Sequence, residues 1–140
     1  MLMDLLGHPE RAFPVIHVAG TNGKTSVVRM IESLMRAFHR RTGRTTSPHL
    51  QIVTERIAID GKPLHPRDYV DTWRDIQPMV EMVDAKSQAE GGPQMSKFEV
   101  LVAMAYAAFA DAPVDVAVVE TGMGGRWDAT NVVNSDVAVI

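Results

Sequence analysis

Apolar positions change period several times along the chain, and each change marks an element boundary. Met1–Leu6 reads as the tail of a helix stopped by Gly7 and Pro9. Pro14–Ala19 is a short apolar run breaking into glycines, the pattern of a buried parallel strand. Val27, Ile31, Leu34, Met35 and Phe38 then recur at helical spacing and predict one apolar face running until Gly43. Thr45–Ser47 predicts a second strand, and Arg56–Ile59 alternates into Asp60-Gly61, a hairpin-type turn. Pro66 suits the first turn of a helix with Tyr69, Val70, Trp73, Ile76, Val80 and Val83 on one side, kinked or divided at Pro78. Asp84 to Met95, polar and containing Gly-Gly-Pro, predicts a loop. Ser96-Lys97-Phe98-Glu99 has the Ser-x-x-Glu form of a capping box and opens a helix apolar nearly all round to Phe109, hence buried. Asp115–Val119 is a β-branched strand delivering Glu120 at its C-terminal end, and Asp136–Ile140 begins another strand. Strands alternating with helices predict an α/β fold with a mostly parallel sheet flanked by helices, its ligands gathered at the strand C-termini.

Composition narrows the function classes. At 140 residues the chain has the length of one domain, and 46% hydrophobic with 22% charged residues is the balance of a soluble globular protein. A net charge of −3 argues against a nucleic-acid footprint, and the one basic cluster, His39-Arg40-Arg41-x-x-Arg44, reads as cations over a helix C-terminus. With no cysteine there is no disulfide or thiolate chemistry. Met1–Leu6 has an acidic residue instead of a basic n-region, and its apolar run is too short for a signal peptide or membrane span, so a cytoplasmic location with no membrane partner is the default.

The chemistry concentrates at Gly20-Thr21-Asn22-Gly23-Lys24-Thr25-Ser26, between a predicted strand and a predicted helix. Gly20 and Gly23 permit a tight path on which main-chain N–H groups converge on an anion, and the helix N-terminus adds partial positive charge. Lys24 supplies a mobile ammonium for outer phosphates and Thr25 a hydroxyl for Mg²⁺. The string is Gly-x-x-Gly-Lys-Thr and not the full phosphate-loop pattern, since Val18 stands five positions before Gly23. The structural alternative is an ordinary strand-to-helix turn with an exposed lysine. A triphosphate needs Mg²⁺, which prefers oxygen ligands, and Glu120 at the end of an apolar strand is the best acidic candidate against a solvated strand-end acid. Ser47 precedes Pro48 and reads first as a turn residue. His17 and His49 lack zinc-like spacing and read as structural. Trp127 suits stacking on a flat ring while Asp128 and Asn131 orient a polar ligand; an Asx-stabilised loop packed by one tryptophan is the alternative.

Gly20–Ser26, Thr46-Ser47-Pro48-His49-Leu50 with Glu55-Arg56, Ser96-Lys97-Phe98-Glu99 and Glu120-Thr121-Gly122-Met123-Gly124-Gly125-Arg126-Trp127-Asp128-Ala129-Thr130-Asn131 together resemble the folylpolyglutamate synthase/dihydrofolate synthase family of the Mur ligase superfamily. The match runs through almost the whole chain; the first segment is shared by Mur-type ligases, whereas Ser-Pro-His-Leu and Gly-Gly-Arg-x-Asp-Ala-Thr-Asn are specific to the folate branch. The resemblance implies a P-loop-containing Mur ligase central (ATPase) domain, truncated, and an ATP-dependent amide ligase. Such an enzyme phosphorylates a pterin-linked or glutamyl carboxylate to an acyl phosphate, from which the amino group of L-glutamate displaces phosphate. ATP and Mg²⁺ are the implied cofactors, dihydropteroate or folate and L-glutamate the implied substrates.

Residue by residue, the resemblance implies that Gly20, Thr21, Asn22, Gly23, Lys24, Thr25 and Ser26 bind ATP phosphates, Lys24 also stabilising charge on the transferred phosphoryl group. Ser47 and Glu120, with Thr25, would hold Mg²⁺. Ser96, Lys97, Phe98, Glu99, Trp127, Asp128 and Ala129 would line the pteroate or folate pocket. Thr121 departs from the family, which usually has an aliphatic residue there. In the family a second metal-holding His, the modified Lys, the rest of the ATPase domain and a C-terminal glutamate-binding domain lie beyond the equivalent of Ile140. Residues 1–140 are thus expected to be a partial ATP-binding domain, short of the family's opening helix, that does not catalyse ligation alone. Two alternatives stand beside this reading: a cell-wall Mur ligase acting on a UDP-linked peptide, and a non-catalytic nucleotide-binding module whose sheet edge pairs with another chain.

Overall fold

The computed structural model describes residues 2–20, 23–46, 53–122, 130 and 136–139. A six-stranded sheet has the order β4-β3-β2-β5-β1-β6, where β1 is Val15–Val18, β2 Thr42–Thr45, β3 Ile57–Ile59, β4 Lys62–Pro63, β5 Val116–Glu120 and β6 Val137–Val139. β6, β1, β5 and β2 run parallel; β3 pairs antiparallel with β2, and β4 with β3. The sheet is therefore mixed, with its parallel part at the centre. The β3–β4 turn is at Asp60-Gly61, both with positive φ, as a two-residue hairpin needs.

The helices are α1 (Leu2–Leu5), α2 (Lys24–Ala37), α3 (Pro66–Ala89) and α4 (Lys97–Asp111). The two faces of the sheet have different interiors. On one, α4 and α3 close over a large apolar cluster that includes Val15, Ala117, Val119, Leu101, Tyr106 and Phe109. On the other, α2 covers a small one of Ile16, Val18, Val28, Val116 and Val118. β5 serves both by alternation, Val118 facing α2 and Val119 facing α4.

Several sequence expectations are corrected. The second strand starts at Thr42, not Thr45, and Gly43 lies inside it instead of ending a helix. A Cβ at Gly43 would lie 2.6 Å from the Phe109 ring, so the strand passes beneath α4 only because that position has no side chain. α2 buries Val28 and Glu32, while Leu34 and Phe38 point to solvent. Val27, Ile31 and Met35 pack against the small cluster as the spacing predicts, but the buried positions are Val28 and Glu32, the latter held by Arg44 of β2: Arg44 Nη1 donates to Glu32 Oε1 at 2.7 Å, both side chains buried. Arg44 is accordingly a sheet residue and not a cation over a helix end. α3 passes through Pro78 undivided and continues to Ala89, consuming half of the expected loop. Its last residues, Asp-Ala-Lys-Ser-Gln-Ala, contain good helix formers, and the glycines that stop it come only at Gly91 and Gly92.

Candidate functional site

The site begins where β1 ends. Gly20 has φ 137° and Gly23, the N-cap of α2, has φ 75°, conformations that residues with a Cβ rarely adopt. No side chain caps α2, so its first N–H groups face the loop. Lys24 and Thr25 are the first residues of this helix, and their side chains reach across to the end of β5 in the same direction.

Register explains why β5 is the partner. β1 lies beside β5 with Val18 opposite Glu120, so the phosphate-type loop and the carboxylate leave adjacent parallel strands at one edge. The Thr25 hydroxyl lies 3.1 Å from each oxygen of the Glu120 carboxylate and donates to it. Lys24 Nζ donates to the carbonyl oxygens of Thr121 at 3.2 Å and Gly122 at 3.3 Å. Glu120 is only 3% exposed, which rules out a solvated strand-end acid. A buried carboxylate beside a hydroxyl, below an uncapped helix N-terminus, is a hard oxygen donor set of the kind Mg²⁺ takes together with phosphates and water. Among the described residues no group of three His, Cys, Asp or Glu could hold a metal by itself.

Thr130 is anchored on the α4 side of the sheet. His17 Nε2 and Thr130 Oγ1 are 2.6 Å apart, and the Tyr106 hydroxyl of α4 donates to the Thr130 carbonyl at 3.1 Å. Thr130 and Tyr106 are fully buried. His17 thus has the structural part expected of it.

Ser96 is the N-cap of α4, its hydroxyl accepting from Glu99 N–H at 3.1 Å, which accounts for Ser96 and fixes the helix start. Lys97, in the first turn, joins Arg56, Tyr69, Val70, Trp73, Val100, Leu101 and Met104 in lining a cleft of about 460 Å³ between α3 and α4. α4 leads into β5, so its N-terminus lies toward the strand ends where Glu120 stands. Burial pushes the Tyr69 phenol above the ordinary tyrosine value, and the nearby Arg56 charge offsets part of that. Phe98 is partly buried against the main core, and Glu99 is exposed. Tyr69 and Trp73 fall on the predicted apolar face of α3, and Arg56 in the segment that carries the family resemblance; their grouping arises only where α3 packs on α4.

Gly20, Gly23, Lys24, Thr25 and Glu120 are brought together by the fold, and Ser26 follows on the same helix. Thr21, Asn22, Ser47, His49, Trp127, Asp128 and Ala129 lie outside the described residues.

No family model matches the chain. The dihydrofolate synthase/folylpolyglutamate synthase of Mycobacterium tuberculosis is 70% identical over 142 residues, covering 99% of this chain and 29% of that protein. A crystal structure of Mycobacterium tuberculosis folylpolyglutamate synthase complexed with ADP and AMPPCP superposes with a TM-score of 0.96 at 70% identity, over 98% of this chain and 30% of that one. A folylpolyglutamate synthase–AMPPCP–folate complex superposes at 0.89 and 35% identity, over 98% of this chain and 33% of that one. The chain spans about 30% of the length of the relatives it matches. With an end-to-end likeness at this identity in both sequence and structure, the chain belongs to the dihydrofolate synthase/folylpolyglutamate synthase family.

Proposed function

We propose that the chain provides the nucleotide-binding part, and a portion of the acceptor-binding part, of an ATP-dependent ligase that joins L-glutamate to dihydropteroate or folate. The observation that carries this is the meeting of the Lys24–Thr25 helix start with the end of β5, where Thr25 reaches Glu120, 95 residues away in sequence, and Lys24 reaches the Thr121 carbonyl. Relatives solved with ADP, AMPPCP and folate support it.

In this reading Gly20, Thr21, Asn22, Gly23, Lys24, Thr25 and Ser26 hold the triphosphate through backbone N–H groups, hydroxyls and the lysine. Lys24 leaves the Thr121 and Gly122 carbonyls for the outer phosphates and stabilises charge as the phosphoryl group transfers. Thr25 and Glu120, with Ser47, would hold Mg²⁺, which when bound neutralises phosphate charge. Ser96, Lys97, Phe98, Glu99, Trp127, Asp128 and Ala129 belong to the acceptor side. The α3–α4 cleft extends that side with the aromatic rings of Tyr69 and Trp73 for a flat ring system and the Arg56 and Lys97 cations for a carboxylate. The acceptor carboxylate oxygen attacks the terminal phosphorus and ADP leaves. The glutamate nitrogen then attacks the acyl carbon and inorganic phosphate departs.

Titration of ATP with and without Mg²⁺, followed by dihydropteroate, tests the reading. Mg²⁺-dependent nucleotide binding and dihydropteroate binding in preference to a UDP-sugar are expected. A chain that binds no nucleotide under either condition overturns the proposal.

A further inference from the structure

Thr130 is fully buried, and two different elements hold its two polar ends. Its Oγ1 lies 2.6 Å from His17 Nε2 of β1, and its carbonyl oxygen accepts from the Tyr106 hydroxyl of α4 at 3.1 Å. The setting of this network is apolar. Val15, two residues before His17, and Val119, the register partner of His17, both belong to the large cluster beneath α4. Packing alone would be served by a valine at 130 and an aliphatic residue at 17, with no polar groups to desolvate. A bonded polar network inside an apolar cluster fixes one arrangement instead, because a shift of the segment strands a buried donor or acceptor.

The place that is fixed adjoins the chemistry. His17 stands three residues before Gly20 and one register step before the Val18–Glu120 pair. Glu120 turns to Thr25 on the α2 side, whereas His17 faces the α4 side with Val119. Thr130 is therefore pinned one step from the carboxylate end of β5, on the opposite face of the sheet. The helix that supplies Tyr106 also lines the α3–α4 cleft, through Leu101 and Met104. In sequence, Thr130 directly follows Trp127-Asp128-Ala129.

We propose that His17 is a positioning residue for the carboxylic acid acceptor: by holding Thr130 it sets the place of the acceptor-side residues that precede Thr130, and it touches neither the acid nor the nucleotide. The inference rests on the acceptor reading given above, which assigns Trp127, Asp128 and Ala129 to that side.

The test uses His17→Phe, which keeps a ring without its nitrogens, and His17→Gln, which returns a polar nitrogen near the Nε2 position. Thr130→Val breaks the same hydrogen bond from its other end. Calorimetry follows MgADP and then, at saturating MgADP and well below each Tm, dihydropteroate. His17→Phe and Thr130→Val should each lower dihydropteroate affinity about fivefold while MgADP affinity stays within about twofold of the parent. His17→Gln should recover most of the loss. The double variant His17→Phe, Thr130→Val should bind no more weakly than either single one, since all three lack one and the same bond. Should His17→Phe not fold, Thr130→Val and His17→Gln decide the matter by themselves. A lower Tm with unchanged dihydropteroate affinity makes the bond purely structural and overturns the proposal. Additive losses in the double variant, or an equal fall in MgADP affinity, overturn it too. A parent chain that binds MgADP but no dihydropteroate overturns the acceptor reading, and this inference with it, while leaving the nucleotide site standing.

Discussion

The two faces of the sheet solve different problems. Beneath α4 and α3 lies the larger apolar cluster, with Phe109 seated on Gly43 and against Phe13 at 5.7 Å between ring centroids. Beneath α2 the apolar cluster is small, and polar groups take its place: the buried Glu32–Arg44 pair and, at the strand ends, Thr25 with Glu120. The contrast teaches that one face supplies most of the burial that stabilises the fold, while the other holds charge in a fixed arrangement at some cost. Mutations should separate the two.

The largest effect is expected on the apolar face. Phe109→Ala removes a fully buried ring and leaves a cavity above Gly43; a loss of about 3–5 kcal/mol in denaturant unfolding is expected. On the polar face, Arg44→Met should cost about 3–5 kcal/mol because it strands the Glu32 carboxylate. The double variant Arg44→Met, Glu32→Leu should recover most of that. If the double variant is as unstable as the single one, the pair itself holds α2 on the sheet and the contrast between the faces fails. Lys24→Met should weaken Mg²⁺-dependent ATP binding about 10- to 100-fold, the size of a lost charge-assisted hydrogen bond, with little change in Tm. A Tm loss comparable to that of Phe109→Ala would show the loop to be structural. Smallest, Ser96→Ala removes the α4 cap and should cost about 1 kcal/mol, read by the same unfolding measurement.

The faces also differ in how far the sequence announces them. The phosphate-type loop is contiguous, so its glycines, lysine and threonine are visible as one string, and the β-branched run before Glu120 identifies the partner strand. The apolar run of α4 and the Asp60-Gly61 turn are equally plain, because burial and positive φ each demand particular residue types. What escaped has a common physical origin. Thr42-Gly-Arg-Thr45 has no hydrophobic pattern, yet it is a central buried strand, because Gly43 fits Phe109 and Arg44 finds Glu32, partners set by tertiary packing. The burial of Glu32 on α2 follows from that same pair. The end of α3 was hidden because polar residues that form good helices resemble a polar loop in composition. The cleft between α3 and α4 arises where two helices meet, and neither helix alone signals it.

Lys24 is already engaged before any anion arrives, through the Thr121 and Gly122 carbonyls. Binding at this loop is therefore an exchange of partners and not the capture of a bare cation. A diffuse monovalent anion such as chloride offers the ammonium too little to break two carbonyl contacts, whereas a polyphosphate presents several charged oxygens at once. In the nucleotide-binding reading proposed above, these resting contacts set a threshold in charge density that a polyphosphate meets and a lone salt anion does not.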